Sequence, residues 1–193
     1  MNIVVAGGRG GLGTAIVDEL LFRGIQKDMP DELYILDRDE TKVPDCDVFI
    51  YNCGIGYFDE IDKLTKEQID QMLSVNLYRA IYLTRDIVAK MKNKKSGHII
   101  FTGSNSALKG ISKNSVYACT KAGLLALQRC LELECKSYGI KVSIINPGTI
   151  DTDGFWSHGI DNRDKGTLKP TDVAEIYANL INVGLSTEIR VEP

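Results

Sequence analysis

Ile3-Val4-Val5-Ala6-Gly7-Gly8-Arg9-Gly10-Gly11-Leu12-Gly13 begins as a short apolar run closed by glycines, and Leu12 to Arg23 continues it with helical periodicity. That order predicts strand, turn, helix. The glycines fit two registers, Gly8-x-Gly10-x-x-Gly13 and Gly7-x-x-x-Gly11-x-Gly13. In either, the missing Cβ atoms permit positive φ and let a pyrophosphate approach the backbone, against the unpaired N–H groups of a helix start near Leu12.

Outward from this turn the alternation recurs. Leu33-Tyr34-Ile35-Leu36 ends at Asp37, and Asp47-Val48-Phe49-Ile50-Tyr51 ends at Asn52-Cys53-Gly54. Both read as buried parallel strands. A helix is predicted from about Lys66 to Lys92, a strand over Gly97 to Phe101, a helix over roughly Val116 to Tyr138 and a strand over Val142 to Ile145. A last helix from about Asp172 to Val183, with Thr171 as its N-cap, precedes a short strand from Glu188 to Val191. Gly24 to Glu32 reads as a surface loop. The expected fold is α/β: one three-layer α/β/α domain over residues 1–193, with a doubly wound parallel sheet of about six strands. Ligands in such sheets bind beyond the C-terminal ends of the strands.

Composition narrows the class. At 193 residues the chain suits one domain. Hydrophobic residues at 44% and charged residues at 25% are ordinary for a globular protein, which argues against disorder. A net charge of -3 argues against a nucleic-acid partner, and no apolar run approaches the ~18 residues of a membrane span. Lys90, Lys92, Lys94 and Lys95 fall where a helix should end, where cations offset the dipole. The five cysteines contain no Cys-x-x-Cys pair, so reduced thiols are expected, with Cys130 and Cys135 filling the core. The two histidines, His98 and His158, lie far from them, and no metal site is expected. With the first strand starting at Asn2 or Ile3 there is no room for a signal peptide, and a cytoplasmic protein is expected.

Two further clusters carry chemistry. Asp37, at the end of the second strand, is placed to accept hydrogen bonds from an adenosine ribose and to repel a 2'-phosphate, which favours NAD. Arg9 and Arg38 argue for NADP, since guanidinium groups bind phosphate well. Tyr117 and Lys121 stand four apart, hence on one helix face, and Ser104 precedes the tyrosine by thirteen residues. A tyrosine titrates near ~10, and bringing it to about 7 takes ~4 kcal/mol of preference for the phenolate. A unit charge at about 4 Å in an effective dielectric of ~20 supplies that order of energy. Lys121 is therefore expected to lower the Tyr117 pKa.

Taken together, the motifs resemble those of the short-chain dehydrogenase/reductase family, whose fold is Rossmann-type. The resemblance runs from Asn2 to about Asp153. Gly7-x-x-x-Gly11-x-Gly13, Asn52-Cys53-Gly54, Asn76, the set Ser104, Tyr117 and Lys121, and Asn146-Pro147-Gly148-Thr149-Ile150-Asp151-Thr152 follow in the family's order. The resemblance implies Asn76, Ser104, Tyr117 and Lys121 as catalytic residues. It implies a cofactor site of Gly7, Arg9, Gly11, Leu12, Gly13, Asp37, Arg38, Asn52, Gly54, Tyr117, Lys121, Pro147, Gly148, Ile150 and Thr152. Tyr117 would exchange a proton with the substrate oxygen, Ser104 would hydrogen-bond that oxygen, Lys121 would hold the nicotinamide ribose, and Asn76 would carry a proton relay.

Several positions depart from the family pattern. Ala6 replaces a threonine, and Tyr51 stands where an asparagine is usual. The segment from Asp37 to Asp47 is too short for the further strand and helix that full-length members carry, together with their adenine-contacting aspartate. Thr152 to Lys169, with Phe155, Trp156 and His158, reads as a compact substitute for a substrate lid.

The expected function is an NAD(P)-dependent oxidoreductase interconverting a secondary alcohol and a carbonyl, with NAD(H) favoured and NADP(H) the alternative cofactor. Its partners would be a small alcohol or carbonyl compound and, through the two long helices, further copies of itself in a homodimer or homotetramer. A non-catalytic NAD(P)-binding sensor or structural protein of the same fold is the competing reading. A methyltransferase using the same glycine turn leaves Tyr117 and Lys121 unexplained.

Overall fold

The computed structural model describes residues 1–24, 32–36, 39–152 and 166–193. Six parallel strands, β1 (Ile3–Ala6), β2 (Leu33–Leu36), β3 (Val48–Tyr51), β4 (Gly97–Thr102), β5 (Ile140–Pro147) and β6 (Glu188–Val191), form one sheet in the order β2-β1-β3-β4-β5-β6. The order reverses at β1, which opens a crevice at the strands' C-terminal ends.

Strand periodicity sorts the apolar runs onto two faces. Val4, Ala6, Phe49, Tyr51, Ile99 and Phe101 face one core, and Ile3, Val5, Val48, Ile50, Ile100 and Ile145 face the other. Each central strand is thus apolar throughout because both faces are covered. Helices α3 (Arg79–Lys94) and α4 (Ser115–Cys135) contribute Leu83, Ile87, Leu124 and Leu131 to the first core. Helices α1 (Gly11–Phe22) and α5 (Pro170–Val183) contribute Ile16, Leu20, Val173 and Tyr177 to the second.

The helix expected from Lys66 to Lys92 is three pieces. A short α2 (Lys66–Leu73) starts at a Thr65 capping box and runs into a π-turn, Ser74–Tyr78, before α3. The turn shows as the Arg79 N–H bonding back to the Ser74 carbonyl. Such turns leave backbone groups in need of partners, and the Val75 carbonyl accepts the phenol of Tyr51. The aromatic that departs from the family pattern therefore serves the turn that carries Asn76.

Between β2 and β3 the described residues 39–47 form neither helix nor strand. Val43 and Cys46 bury their side chains in the first core instead. Lys90 Nζ holds the Val43 carbonyl at 2.8 Å and pairs with Asp45 at 3.0 Å. Lys92 and Lys94 do lie in the last turn of α3.

Three local expectations are corrected. Helix α5 starts at Pro170 with Lys169 as N-cap, since a proline with no N–H suits the first helical position; Thr171 lies inside the first turn and bonds the Asp172 side chain. Helix α4 stops at Cys135, and Lys136–Tyr138 tighten into a 3-10 turn ended by Gly139 in the left-handed region. Cys135 is buried as expected but Cys130 is exposed, being on the outer face of α4. No helix among the described residues is long and apolar enough to cross a membrane.

Candidate active site

A crevice of about 1310 Å³ runs across the C-terminal ends of β1, β3, β4 and β5. At one end lies the glycine turn. Gly7 has φ +81°, and a Cβ there would meet the Cys53 amide nitrogen at 2.9 Å. A Cβ on Gly13 would lie 2.0 Å from the Gly7 carbonyl oxygen, so only glycine lets α1 approach β1 this closely. Helix α1 begins at Gly11 after a Gly10 N-cap that has no side chain to bond the first N–H groups. These donors face the crevice wall made by Gly7 to Leu12, the chemistry a pyrophosphate requires.

At the other end, α4 presents Tyr117 and Lys121 on one face. Lys121 is 2% exposed, its Nζ donates to the Thr102 carbonyl at 2.9 Å, and it lies 5.6 Å from the centroid of the Tyr117 ring. Burial lowers the Lys121 pKa to about 8, with Cys53 acting weakly in the opposite direction. Tyr117 is partly buried against Phe58, ring centroids 5.4 Å apart. Burial raises its pKa, and the Ser104 hydroxyl pulls it back. The lowering expected from Lys121 is corrected: burial dominates and Ser104, not Lys121, is the group that opposes it.

Ser104 caps the short 3-10 turn Asn105–Ala107, its Oγ accepting from Ser106 N at 3.1 Å. Its own amide donates to Asn146 Oδ1 at 3.2 Å. Asn76 is buried behind the crevice wall and is not part of the lining. Its amide exchanges two bonds of 2.9 Å with Ile55 N and O and donates to Thr120 Oγ1 at 3.1 Å, while Thr120 Oγ1 donates to the Tyr117 carbonyl at 2.7 Å. Asn76 thus ties the loop after β3 to the helix turn that bears Tyr117. Asn52 donates to the Gly7 carbonyl at 3.1 Å and accepts from Thr102 Oγ1 at 3.0 Å, joining β1, β3 and β4.

Of the residues expected at the site, Gly7, Arg9, Gly11, Leu12, Asn52, Gly54, Ser104, Tyr117, Lys121, Pro147, Gly148, Ile150 and Thr152 line this one crevice. Gly13 lies beneath it. Asp37, Arg38, Phe155, Trp156 and His158 fall outside the described residues. Thr102, Thr120, Asn146, Cys53, Phe58 and Arg79 also shape the site and were not anticipated. Asn146, directly before Pro147-Gly148, and Cys53, between Asn52 and Gly54, had a local signal.

Comparison with known proteins agrees with this geometry. The family model described as short chain dehydrogenase matches residues 34–162. The chain is 29% identical over 175 residues to the 3-oxoacyl-acyl-carrier-protein reductase MabA of Mycobacterium avium, an alignment covering 79% of this chain and 68% of that one. It is 33% identical over 109 residues to an uncharacterized oxidoreductase of Thermotoga maritima, covering 56% of this chain and 43% of the other. Among solved structures, an alcohol dehydrogenase from the archaeon Thermococcus sibiricus complexed with 5-hydroxy-NADP superposes with a TM-score of 0.83 at 22% identity, covering 98% of this chain and 95% of that one. The chain belongs to the short-chain dehydrogenase family.

Proposed function

We propose that the protein is an NAD(P)-dependent oxidoreductase that interconverts a secondary alcohol and a carbonyl. The observation that carries this reading is the convergence of Ser104, Tyr117 and Lys121 at one end of a crevice whose other end is an uncapped glycine turn. The described residues fit the cofactor: the glycine turn would take the pyrophosphate and Lys121 with Pro147 to Thr152 the nicotinamide half, with Arg9 toward the adenosine ribose that the sequence also assigns to Asp37. When bound, the nicotinamide supplies or accepts the hydride.

The side chains do the rest. Tyr117, a protonated phenol whose pKa burial raises further, gives its proton to the substrate oxygen in reduction; in oxidation its phenolate takes the alcohol proton. Ser104 orients that oxygen by a hydrogen bond and stabilises the phenolate left on Tyr117. Lys121, its ammonium titrating near 8, would hold the nicotinamide ribose hydroxyls. Asn76, buried behind the crevice wall, positions Tyr117 through Thr120.

Asp37 favours NAD(H), whereas Arg9 and the NADP analogue carried by the archaeal dehydrogenase support NADP(H). A homodimer or homotetramer is supported by the apolar side chains on the outer faces of α3 and α4, among them Tyr82 at 62% and Leu133 at 77% exposure. Cytoplasmic residence is supported by the cysteine pattern of the sequence, five in number with no Cys-x-x-Cys pair.

The test is a panel of small ketones and alcohols assayed with NADH and NADPH by cofactor fluorescence, together with Tyr117→Phe. Turnover should fall roughly 10²-fold or more in that variant, with dinucleotide affinity nearly unchanged. Binding of neither dinucleotide, or full activity without the hydroxyl, would reject the reading.

A further inference from the structure

Arg79 opens α3 immediately after the π-turn, and the turn decides where it points. An extra residue in a helical turn rotates every later side chain by ~100° around the axis. The guanidinium reaches the crevice, where Nη1 donates to Cys53 Sγ at 3.6 Å and Nη2 to the Glu40 carbonyl at 3.2 Å. Cys53 follows β3 and Glu40 follows β2. Since β1 lies between those strands, Arg79 spans the half of the crevice that begins at the glycine turn and runs away from Tyr117 and Lys121. Leu36, Cys53, Ser74 and Val75 line the same half.

This is also the half in which described residues 39–47 carry no helix between β2 and β3, so the crevice wall there is assembled from other parts. Arg79 secures that segment through the Glu40 carbonyl. It also offers a planar cation beside apolar carbons, the combination that stacks on a heteroaromatic base. With the pyrophosphate at the glycine turn and the nicotinamide toward Lys121, the remaining group of a dinucleotide is its adenine.

We propose that Arg79 is the adenine-binding residue of this protein, its guanidinium plane serving as the stacking platform in place of a longer β2–β3 crossover. The proposal rests on the oxidoreductase reading for the orientation of the dinucleotide. It assigns Arg79 to the base and not to a 2'-phosphate, so NAD(H) and NADP(H) gain equally from it.

The experiment measures dissociation constants of the full chain for NADH, NADPH and reduced nicotinamide mononucleotide, which has no adenosine, in the wild type, Arg79→Met and Arg79→Lys. Arg79→Met should weaken NADH and NADPH alike by about tenfold or more, in line with the usual contribution of base stacking, and leave the mononucleotide unchanged. Arg79→Lys keeps a cation able to hold Glu40 but has no plane, and should remain weakened; it carries the test if the methionine variant does not fold. A loss confined to NADPH, an equal loss for the mononucleotide, or no loss would each overturn the assignment. A wild type that binds neither dinucleotide would instead remove the oxidoreductase reading beneath it.

Discussion

Lys121 donates from Nζ to the backbone carbonyl of Thr102 at 2.9 Å, which buries an ammonium at the C-terminal end of β4 and holds α4 against the sheet. Burial disfavours its charged form, and the pKa falls to about 8 from the ordinary lysine value. In the unfolded chain the same group titrates near ~10.4, so between about pH 8 and 10.4 the unfolded state binds more protons and stability rises with pH. Below pH 8 both states are charged and the penalty is constant, on the order of 3 kcal/mol.

Lys121→Met should therefore raise the thermal midpoint at pH 7 modestly, since the Thr102 carbonyl left without its donor costs about 1–3 kcal/mol and offsets part of the relieved burial penalty, while turnover falls by roughly 10²-fold or more. Calorimetry across pH 7 to 10.5 checks it: the alkaline rise in stability should vanish in the variant. A less stable Lys121→Met at neutral pH would contradict the account of the burial.

His98 carries a dependence of the same sign on the acid side. Its Nε2 lies 2.9 Å from Ser143 Oγ, which itself donates to the Leu185 carbonyl at 2.6 Å, so Nε2 carries the proton and Nδ1 does not. Burial, helped by Lys141, lowers the pKa to about 4. The unfolded chain takes up this proton near ~6.5, so stability should fall as pH drops from about 6.5 to 4, by up to roughly 3 kcal/mol. Urea titrations at intervals over that window should show a shallower decline in His98→Gln. An unchanged acid profile would assign the loss to other groups.

Tyr51 is expected to stabilise the π-turn. Tyr51→Phe retains the ring at the core and removes only the donor to the Val75 carbonyl. An unsatisfied buried carbonyl costs about 1–3 kcal/mol, which should appear as a lower denaturation midpoint with an unchanged m-value. Hydrogen exchange of the amides in Ser74–Tyr78 should accelerate with it; protection equal to the wild type would show that the turn has no need of the phenol.

The outer faces of α3 and α4 give a test of association. Tyr82→Glu and Leu133→Glu place charges on side chains that are 62% and 77% exposed, so each folded chain should change in stability by no more than about 0.5 kcal/mol. Sedimentation velocity should show the double variant shifting to monomer. A wild type that already sediments as a monomer would end the homo-oligomer proposal.

Much of the architecture was legible before folding. The apolar runs at Ile3–Ala6 and Val48–Tyr51, closed by glycine or asparagine, identified strands buried on both faces, and the i, i+4 spacing put Tyr117 and Lys121 on one side of one helix. These are properties of the local chain, where steric periodicity and missing Cβ atoms act between neighbours. The π-turn was not legible, because Ser74–Tyr78 has an unbroken helical pattern and its partner Tyr51 lies 24 residues earlier. Nor was the direction of the Tyr117 shift.

The amino-acid order by itself determined the alternation of strands and helices, the glycine turn and the identity of the Ser104, Tyr117 and Lys121 set. Only the tertiary structure decided that Lys121 is spent on the Thr102 carbonyl 19 residues away, that Tyr117 is raised and not lowered, and that Arg79 reaches Cys53 and Glu40 across 26 and 39 residues. The reason is physical: spacing along a helix fixes which residues share a face, whereas desolvation and distant hydrogen bonds exist only once the chain has closed around them.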